Sequence, residues 1–320
     1  MPQREEVNPR LAVVIPAWNE SAHVASVIRG IPRNFLGVSD VGIIVVDDGS
    51  TDDTPEVAAS AGADRVILLP KHRGLARAWS TGIAAALRDG AQIIVHTDAD
   101  GQYLSEDIVR LLGPLLSGDA DMTVGARPVG AISHFSWLKR VLQRLGSRAV
   151  SLAAGVSVPD APSGFRAMTA QAARSLNVHG GYTYTLETLI QAGRMGLSIV
   201  SVPVRATGPT RPSRLVRSIP QYVWRSVVTI VRVAVLYRPF RFFIFTGGVL
   251  LSAATGAAVL AFATEPANSE VPLGGYLFAA GALAIVGVQA IFTAFLADAL
   301  AANRKLTEEL LRRSSPEVLP

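Results

Sequence analysis

The chain has 320 residues, of which 49% are hydrophobic and 17% charged, and its formal net charge is +5 with no cysteine. This length allows one ordinary catalytic domain with an additional apolar part, and the lack of cysteine excludes disulfides, zinc-thiolate sites and thiol nucleophiles. The first ten residues contain no apolar run, so we expect no secretory signal and a main domain in the cytoplasm.

From residue 11 to about residue 130, short β-branched runs alternate with helical stretches. This alternation predicts an α/β fold in which βαβ units surround a mostly parallel central sheet. The predicted strands are residues 11–16, 42–46, 65–69, 92–97 and 122–125, and the predicted helices are residues 21–30, 54–61, 75–89 and 106–117. Residues 136–206 are less regular, with a basic helix, a loop at 160–166 and a helix that starts near Tyr184. Most polar clusters follow the carboxyl end of a strand, where open α/β sheets bind their ligands.

Two long apolar runs near the end of the chain predict a membrane hairpin. Residues 242–263 and 271–297 contain no charged residue, and each run exceeds the ~20 residues that cross a bilayer core. The connector 264–270 carries two Glu and no Lys or Arg, whereas basic residues flank the outer ends of the runs. The positive-inside rule therefore predicts an integral membrane protein with its catalytic domain and both termini in the cytoplasm. Two buried core helices are the alternative, which the length of both runs disfavours.

A basic segment precedes the apolar runs. Residues 205–241 hold eight Arg and no acidic residue, and Arg214, Arg225 and Arg232 share one face of a helical wheel. This pattern predicts an amphipathic helix on an anionic membrane surface, with a solvated helix face as the alternative, and it accounts for the positive charge without nucleic acid as a partner. The predicted parts are a catalytic domain at 1–210, an interfacial segment at 211–240, a hairpin at 241–300 with spans at about 242–263 and 273–297, and a cytoplasmic tail at 301–320.

A pair of carboxylates follows the fourth predicted strand. Asp98 and Asp100 stand two residues apart in a turn that Gly101 opens, so both can approach one hard divalent cation that also holds a diphosphate. Mg²⁺ and Mn²⁺ both suit oxygen ligands, and the sequence does not choose between them. Alone, the pair is a weak signal, because Asp is a common residue of surface turns.

Two further polar clusters strengthen this signal. Residues 46–52 (VDDGSTD) follow the second strand and offer acidic acceptors for a ribose or a base edge, while residues 16–21 (PAWNES) follow the first strand and offer an aromatic face and a carboxylate. Each cluster alone could be a turn or a helix cap. Three such clusters after predicted strands of one sheet together predict a nucleotide-binding cleft.

The ordered motifs at residues 15–20 (IPAWNE), 45–50 (VVDDGS), 98–102 (DADGQ), 125–127 (GAR), 163–166 (SGFR) and 211–214 (RPSR) resemble those of a known enzyme family. They are similar to motifs of the family 2 glycosyltransferases of GT-A fold, in particular the dolichyl- and polyprenyl-phosphate sugar synthases. The resemblance covers about residues 10–215 and implies a Rossmann-like nucleotide-sugar-binding domain. It also implies inverting transfer of a hexose from a GDP- or UDP-linked donor to a polyprenyl or dolichyl phosphate, with Mg²⁺ or Mn²⁺ as cofactor.

The same resemblance implies roles for individual residues. The nucleotide sugar would be bound by Pro16, Trp18, Glu20, Val46, Asp48, Asp98, Ala99 and Asp100. The metal would be held by Asp98, Asp100 and Gln102. Phosphate groups of donor and acceptor would be bound by Arg127, Ser163, Arg166, Arg211, Ser213 and Arg214. The catalytic residues would be Asp100, Arg127 and Asp160, with Glu187 as a second acidic candidate for orienting the acceptor or the sugar.

The chain departs from the family pattern at several positions, which leaves donor identity open. His72 and Ala76 stand where Asn and Gly are common, and Trp18 stands where Tyr is frequent. The alternatives are a membrane glycosyltransferase with another acceptor, such as a glycolipid or a polysaccharide, and a non-catalytic membrane scaffold of the same fold. The order of letters at 221–225 (QYVWR) disfavours a processive synthase. A dinucleotide-dependent oxidoreductase is also disfavoured, because no Gly-x-Gly-x-x-Gly follows the first predicted strand. The sequence does not specify the oligomeric state, and a homo-oligomer stays open.

Overall fold

The chain divides into two compact units, residues 1–226 and 227–320. The first unit contains a seven-stranded sheet. The strands are β1 (Arg10–Ala17), β2 (Asp40–Asp47), β3 (Arg65–Leu68), β4 (Ile93–His96), β5 (Met122–Ala126), β6 (Arg166–Thr169) and β7 (Ile199–Pro203). They are arranged in the order β3-β2-β1-β4-β6-β5-β7. The computed structural model describes residues 8–128, 137–176, 178, 184–207, 239–263 and 273–314, with isolated positions at 224, 227, 228, 231 and 235.

Strand β6 runs against its neighbours, whereas the other strand pairs of this sheet are parallel. Arg166 at its start is in register with His96 of β4 and with Val124 of β5. Because β6 is reversed, the residues before it, rather than those after it, lie at the sheet edge where β4 ends. The five predicted strands are confirmed as β1 to β5, while β6 and β7 were not predicted.

Seven helices accompany the described part of this sheet. They are α1 (Val24–Gly30), α2 (Thr54–Ser60), α3 (Leu75–Arg88), α4 (Ile108–Leu116), α5 (Trp137–Ala154), α6 (Ala170–Ser175) and α7 (Tyr184–Arg194). The basic helix and the helix from Tyr184 are confirmed as α5 and α7. Helix α1 begins three residues later than predicted. A turn precedes it, in which the amides of His23 and Val24 both donate to the carbonyl oxygen of Glu20.

The core lies on both faces of the sheet, as expected for strands with near-continuous apolar sequence. On one face Val13 packs in a cluster with Val24 of α1 and Leu111 of α4. On the other face Val14 meets α3 at Gly82, where a Cβ would overlap the Val14 side chain. Since both faces are covered by helices, ligands have access to the sheet at its edges only.

The second unit contains two long helices, α8 (Pro239–Ala263) and α9 (Leu273–Ser314). By length and composition, α8 and the part of α9 at Gly274–Asn303 are long and apolar enough to cross a membrane. The helices pack antiparallel. A Cβ on Gly247 would lie 2.8 Å from the carbonyl oxygen of Gly287, and the rings of Phe240 and Phe295 meet edge to face at 5.3 Å.

The two predicted spans are therefore confirmed as apolar helices of membrane length. Large side chains such as Phe245 and Phe278 point away from the helix pair and are 73% and 79% exposed. Such a surface is expected for a lipid-facing hairpin rather than for two core helices. Most of the predicted interfacial segment 211–240 lies outside the described residues, as does the connector 264–270. The predicted domain boundaries stay predictions.

Candidate active site

The three predicted clusters meet at the carboxyl edge of neighbouring strands. Strand β1 lies between β2 and β4, and the buried residues Pro16 and Val46 are in register. Trp18, Asp48 and Asp98 follow the ends of these three strands. The prediction that these clusters share one cleft edge is consistent with this order.

The loops after β1 and β2 are joined by hydrogen bonds through Asn19. Its side-chain oxygen accepts the amide of Thr51 at 2.8 Å, and its own amide donates to Ser50 Oγ at 2.8 Å. Asn19 has φ +52°, the one positive φ outside glycine among the described residues. Asn tolerates this conformation better than most residues, which lets both its side chain and its backbone bond to the loop after β2. A helix cap was the alternative interpretation of this cluster, and the structure shows that Asn19 links two loops instead.

The next residue, Glu20, is buried, with 5% of its surface exposed. Its amide donates to Thr54 Oγ1 at 2.8 Å, which fixes the start of the β1 loop against α2. Its charge adds to the negative field around Asp98.

Asp48 holds the segment that leads into α3. Its carboxylate accepts the amides of Arg73 at 2.8 Å and Gly74 at 2.7 Å, and it pairs with His72 Nδ1 at 2.8 Å. The Asp48 side chain is 3% exposed, while that of His72 is 48% exposed. Trp18 stacks on the His72 ring with centroids 4.1 Å apart and planes 22° apart. The Trp18 and His72 rings thus form a half-exposed aromatic pair at the ends of β1 and β2.

Asp98 and Asp100 form a strongly negative turn after β4. Burial, the nearby charge of Asp100 and that of Glu20 raise the pKa of Asp98 to about 7, although Arg127 and Arg166 act in the opposite direction. The turn closes with Gly101 at φ +72°, and the amide of Gln102 donates to Asp100 Oδ1 at 3.0 Å. Ala99 between the two acids is buried.

This donor set fits a hard cation that retains other ligands. In the described part of the chain, no group of three or more His, Cys, Asp and Glu side chains could hold a metal. Two carboxylates and the Gln102 amide oxygen would therefore bind Mg²⁺ or Mn²⁺ together with diphosphate oxygens and water, as is usual for Mg²⁺ sites on nucleotides. Besides burial, the charges of Asp100 and Glu20 contribute to the raised pKa of Asp98, and a cation bound at this turn would offset their repulsion.

Arg127 and Asp160, both predicted to be catalytic, form an ion pair. Arg127 Nε lies 2.7 Å and Nη2 3.0 Å from the two carboxylate oxygens, and the Asp160 side chain is fully buried. Burial alone would lower the pKa of Arg127, but Tyr103 and Asp160 outweigh it and hold this pKa above its usual value. The guanidinium also lies 5.8 Å from the ring centre of Tyr103. Asp160 therefore fixes the orientation of Arg127.

Arg166 is placed inside the protein, with 1% of its surface exposed. Its guanidinium donates to the carbonyl oxygens of Ala161, Ser163 and Thr185 and to Thr188 Oγ1, at 2.7 to 3.0 Å. Burial lowers its pKa to about 10. These bonds tie loop 160–165 to α7, so the position of Arg166 differs from that of a phosphate ligand in an open cleft. Its predicted contact with phosphate stays a prediction.

Loop 160–165 reaches the Asp98 turn through residues that the sequence analysis did not single out for this role. The hydroxyl of Tyr103 accepts the amide of Gly164 at 3.1 Å and lies 3.4 Å from the buried Ser163 Oγ. His96 Nδ1 lies 2.6 Å from the Gly164 carbonyl oxygen, and burial lowers the pKa of His96 to about 4, which keeps its ring neutral. In the sequence, the feature that could have pointed to His96 is a histidine at the end of an otherwise apolar strand (IIVH). Glu187 is buried on α7.

The segment after β7 passes beside the Asp98 turn. Thr207 donates its amide to the Gln102 carbonyl oxygen at 2.9 Å and its hydroxyl to the Gly101 carbonyl oxygen at 3.0 Å. Just before it, Arg205 binds the buried Asp107 through its amide at 2.6 Å and through its guanidinium at 2.9 Å. The predicted phosphate ligands Arg211, Ser213 and Arg214 lie outside the described residues.

Comparison with known proteins relates this geometry to a family. The sequence pattern of glycosyl transferase family 2 matches residues 12–176. Polyprenol monophosphomannose synthase of Mycolicibacterium smegmatis is 31% identical over 211 residues, which cover 62% of this chain and 77% of that protein. Undecaprenyl-phosphate mannosyltransferase of Micrococcus luteus is 29% identical over 205 residues, covering 61% of this chain and 82% of that protein.

A solved structure shares the fold. Glucosyl-3-phosphoglycerate synthase of Mycobacterium tuberculosis, in complex with Mn²⁺, UDP and glucosyl-3-phosphoglycerate, aligns with a TM-score of 0.56 at 26% identity. The alignment covers 72% of this chain and 85% of that one. Another structure of that enzyme, which aligns with a TM-score of 0.55 at 27% identity over 70% of this chain and 80% of its own, holds Mg²⁺ and UDP. This similarity confirms the predicted α/β fold of GT-A type.

Proposed function

Since the chain belongs to glycosyl transferase family 2 and is a glycosyltransferase, we propose that it transfers a hexose from a nucleoside-diphosphate sugar to a polyprenyl phosphate. The observation that carries the proposal is the presence, in one chain, of the acidic cleft edge and of two helices of membrane length. Such helices would keep the enzyme in the membrane that contains its lipid acceptor. The names of two relatives, which specify polyprenol and undecaprenyl phosphate, support the same class of acceptor here.

We assign the divalent cation to Asp98, Asp100 and Gln102, where the donor set fits it. When bound, the cation would neutralise charge on the leaving nucleoside diphosphate. The buried turn contributes two carboxylates whose mutual repulsion is relieved by such a ligand. Gln102 is held at the end of the turn by its own amide bond to Asp100 and by the bond from Thr207.

The donor base is expected at the Trp18 and His72 rings. An aromatic face at the strand ends offers stacking to a purine or a pyrimidine, so this pair is compatible with GDP and with UDP. Asp48 is already bonded to the backbone of the segment behind His72. It therefore supports the base site by fixing that segment, in addition to its predicted contact with the nucleoside.

The acceptor phosphate needs alignment more than activation. A phosphate monoester has a second pKa of about 6, so at neutral pH its oxygen is largely ionised and is already nucleophilic. Asp160 is occupied by Arg127 and would position it rather than remove a proton. Arg127 can then bind a phosphate with the donors that remain, because guanidinium carries five N–H groups. In-line displacement of the diphosphate by this oxygen would invert the anomeric carbon.

Arg211, Ser213 and Arg214 are the other proposed phosphate ligands. Thr207 is bonded beside Gln102, and four residues of chain reach at most about 14 Å. A link this short allows Arg211 to bind a diphosphate at the Asp98 turn. Ser163 and Arg166 are assigned to holding loop 160–165 in place.

The orientation in the membrane follows the charge pattern of the hairpin, and we place the catalytic unit on the cytoplasmic side. The natural chain contains no cysteine, so a single Ser269→Cys variant can be labelled in intact cells. Labelling by a membrane-impermeant maleimide from outside supports this orientation. Labelling only after permeabilisation contradicts it.

Transfer is tested with the full chain in membranes, a panel of UDP- and GDP-sugars and a short polyprenyl phosphate, with the lipid product identified by mass. Asp100→Asn should abolish product, while Asp119→Asn, the same change at an exposed acid before β5, should not. Product from diacylglycerol or from 3-phosphoglycerate, but not from polyprenyl phosphate, would contradict the proposed acceptor. Retained activity of the Asp100 variant would contradict the metal assignment.

A further inference from the structure

Gly164 lies directly against the carboxylate of Asp98. A Cβ built on this glycine would be 2.9 Å from Asp98 Oδ2, 3.0 Å from Oδ1 and 3.2 Å from the Tyr184 hydroxyl. The main chain of loop 160–165 therefore forms one wall of the space that the carboxylate occupies. Any displacement of Gly164 would change where Asp98 can point.

Both polar groups of Gly164 are held by aromatic side chains. Its amide donates to Tyr103 Oη at 3.1 Å, and its carbonyl oxygen lies 2.6 Å from His96 Nδ1. The carbonyl can only accept, so Nδ1 carries the proton and donates it. In a neutral imidazole the other nitrogen, Nε2, then has a free lone pair.

Tyr184 completes this chain of hydrogen bonds. Its hydroxyl contacts the imidazole, 3.0 Å from His96 Nδ1 and 3.3 Å from Nε2, and so restrains the ring that holds the Gly164 carbonyl. The Tyr184 ring stacks on Trp79 with centroids 5.0 Å apart and planes 14° apart, which fixes the hydroxyl independently. Tyr184, His96 and Gly164 are all buried, so these bonds are shielded from bulk solvent.

We propose that Tyr184 and His96 are positioning residues, which hold Gly164 against Asp98 and thereby set the carboxylate for a divalent cation bound with a nucleotide. Neither residue touches the substrate. Tyr184 orients the imidazole, the imidazole holds the Gly164 carbonyl, and the glycine limits the rotation of Asp98. The inference rests on the proposed metal role of Asp98. It explains why a glycine stands at position 164 and a histidine at position 96. Partners of metal ligands commonly set ligand orientation in this way.

The experiment measures Mn²⁺ binding by electron paramagnetic resonance on the full chain in detergent, with UDP or GDP present and no transfer reaction. His96→Asn retains an amide nitrogen near the place of Nδ1, whereas His96→Gln carries its amide near the place of Nε2. We expect the dissociation constant for Mn²⁺ to rise about tenfold in His96→Gln and to change little in His96→Asn. Equal constants for the two variants would overturn the assignment of Nδ1 as the donor.

Tyr184→Phe removes one hydroxyl and keeps the stack on Trp79, so it should fold even if the His96 variants do not. We expect weaker Mn²⁺ binding and a lower kcat for transfer, with an unchanged KM for the lipid acceptor. Tyr276→Phe in α9 makes the same chemical change outside this network and should leave Mn²⁺ binding unchanged. Gly164→Ala should also weaken Mn²⁺ binding, because its methyl group would crowd the Asp98 carboxylate.

The possible failures are distinguishable. Wild-type protein that binds no Mn²⁺ with any nucleotide overturns both the metal assignment and this inference. Wild-type binding that is unaffected by Tyr184→Phe and Gly164→Ala overturns the inference alone. Weakened Mn²⁺ binding in these variants supports it even if polyprenyl phosphate proves to be the wrong acceptor.

Discussion

The amide of Thr207 donates a hydrogen bond to the carbonyl oxygen of Gln102 at 2.9 Å, which links the segment after β7 to the acidic turn after β4. Tyr103 and Ala206 extend this link with a bridge of strand type. The chain thus enters the predicted phosphate-binding run from a fixed point beside the proposed cation site.

From this point, Arg214 is expected to bind the acceptor phosphate. A charge-assisted hydrogen bond contributes roughly 1.5–3 kcal/mol, so Arg214→Gln should raise the KM for polyprenyl phosphate by about tenfold or more. The KM for the nucleotide sugar should change much less. Steady-state kinetics with each substrate varied would check this, with Arg174→Gln on α6 as the matched control. Equal effects of the two variants would refute the role.

The Trp18 and His72 pair should determine affinity for the donor. Stacking of a base on an aromatic ring contributes about 1–3 kcal/mol, so Trp18→Ala should raise the KM for the nucleotide sugar roughly tenfold. Trp18→Phe keeps an aromatic face and should recover most of the affinity. Nucleotide titration followed by calorimetry would measure both variants. If Trp18→Ala binds UDP and GDP as tightly as the wild type, the base lies elsewhere.

The bond between Arg205 and Asp107 should make stability depend on pH. Although burial acts to raise the pKa of Asp107, hydrogen bonds from Arg205 and its charge hold this pKa below the usual 3.8. The folded state therefore binds this proton more weakly than the unfolded state, and the stabilisation is present above pH 3.8 and lost as pH falls through the lower value.

Asp107→Asn is accordingly expected to destabilise the protein at pH 7 by about 1–3 kcal/mol. The difference from wild type should shrink below pH 3.8. Thermal denaturation of the full chain in detergent, from pH 7 downwards, would show this, and the exposed Asp119→Asn change serves as the control. A difference that stays constant with pH would contradict the assignment to this carboxylate.

Close packing of the hairpin at Gly247 predicts a position-specific effect. A methyl group there would meet the Gly287 carbonyl oxygen and Ile291 at 2.8 Å, whereas nothing lies within 4 Å of a Cβ on Gly248. Gly247→Ala should destabilise the helix pair by about 1–3 kcal/mol through overpacking. Gly248→Ala is the adjacent control and should have little effect. Unfolding in a mixed detergent series would compare the two, and equal stability would show that the helices separate or shift freely.

Much of the sheet was predictable because β1, β2 and β4 are apolar runs that end abruptly in polar residues. The two-sided burial of a parallel sheet requires such runs, so the pattern is local. Strand β6 differs. It has four residues, begins with Arg166 and pairs with strands distant in sequence, so its extended state comes from tertiary partners rather than from its own residues.

The candidate site was predictable to the same extent. Asp48 and Asp98 lie one and two residues after the end of a strand, and their place at the sheet edge follows from that alone. The pairing of Arg127 with Asp160 joins residues 33 positions apart, and no local pattern specifies it. The inward direction of Arg166 is likewise set by carbonyl groups of α7 and of loop 160–165.

The reversed strand β6 also has a consequence for the order of folding. Strands β1 to β4 can pair once residue 96 has been synthesised, whereas the wall beside Asp98 needs β6, whose register joins residues 93–96 to residues 166–169. Pairings between distant residues form late, because their loop-closure entropy must be overcome first. We expect the nucleotide half of the cleft to assemble before the loop that completes it. Pulsed hydrogen exchange during refolding would then protect the amides of β1 and β2 before those of β6, and simultaneous protection would contradict this order.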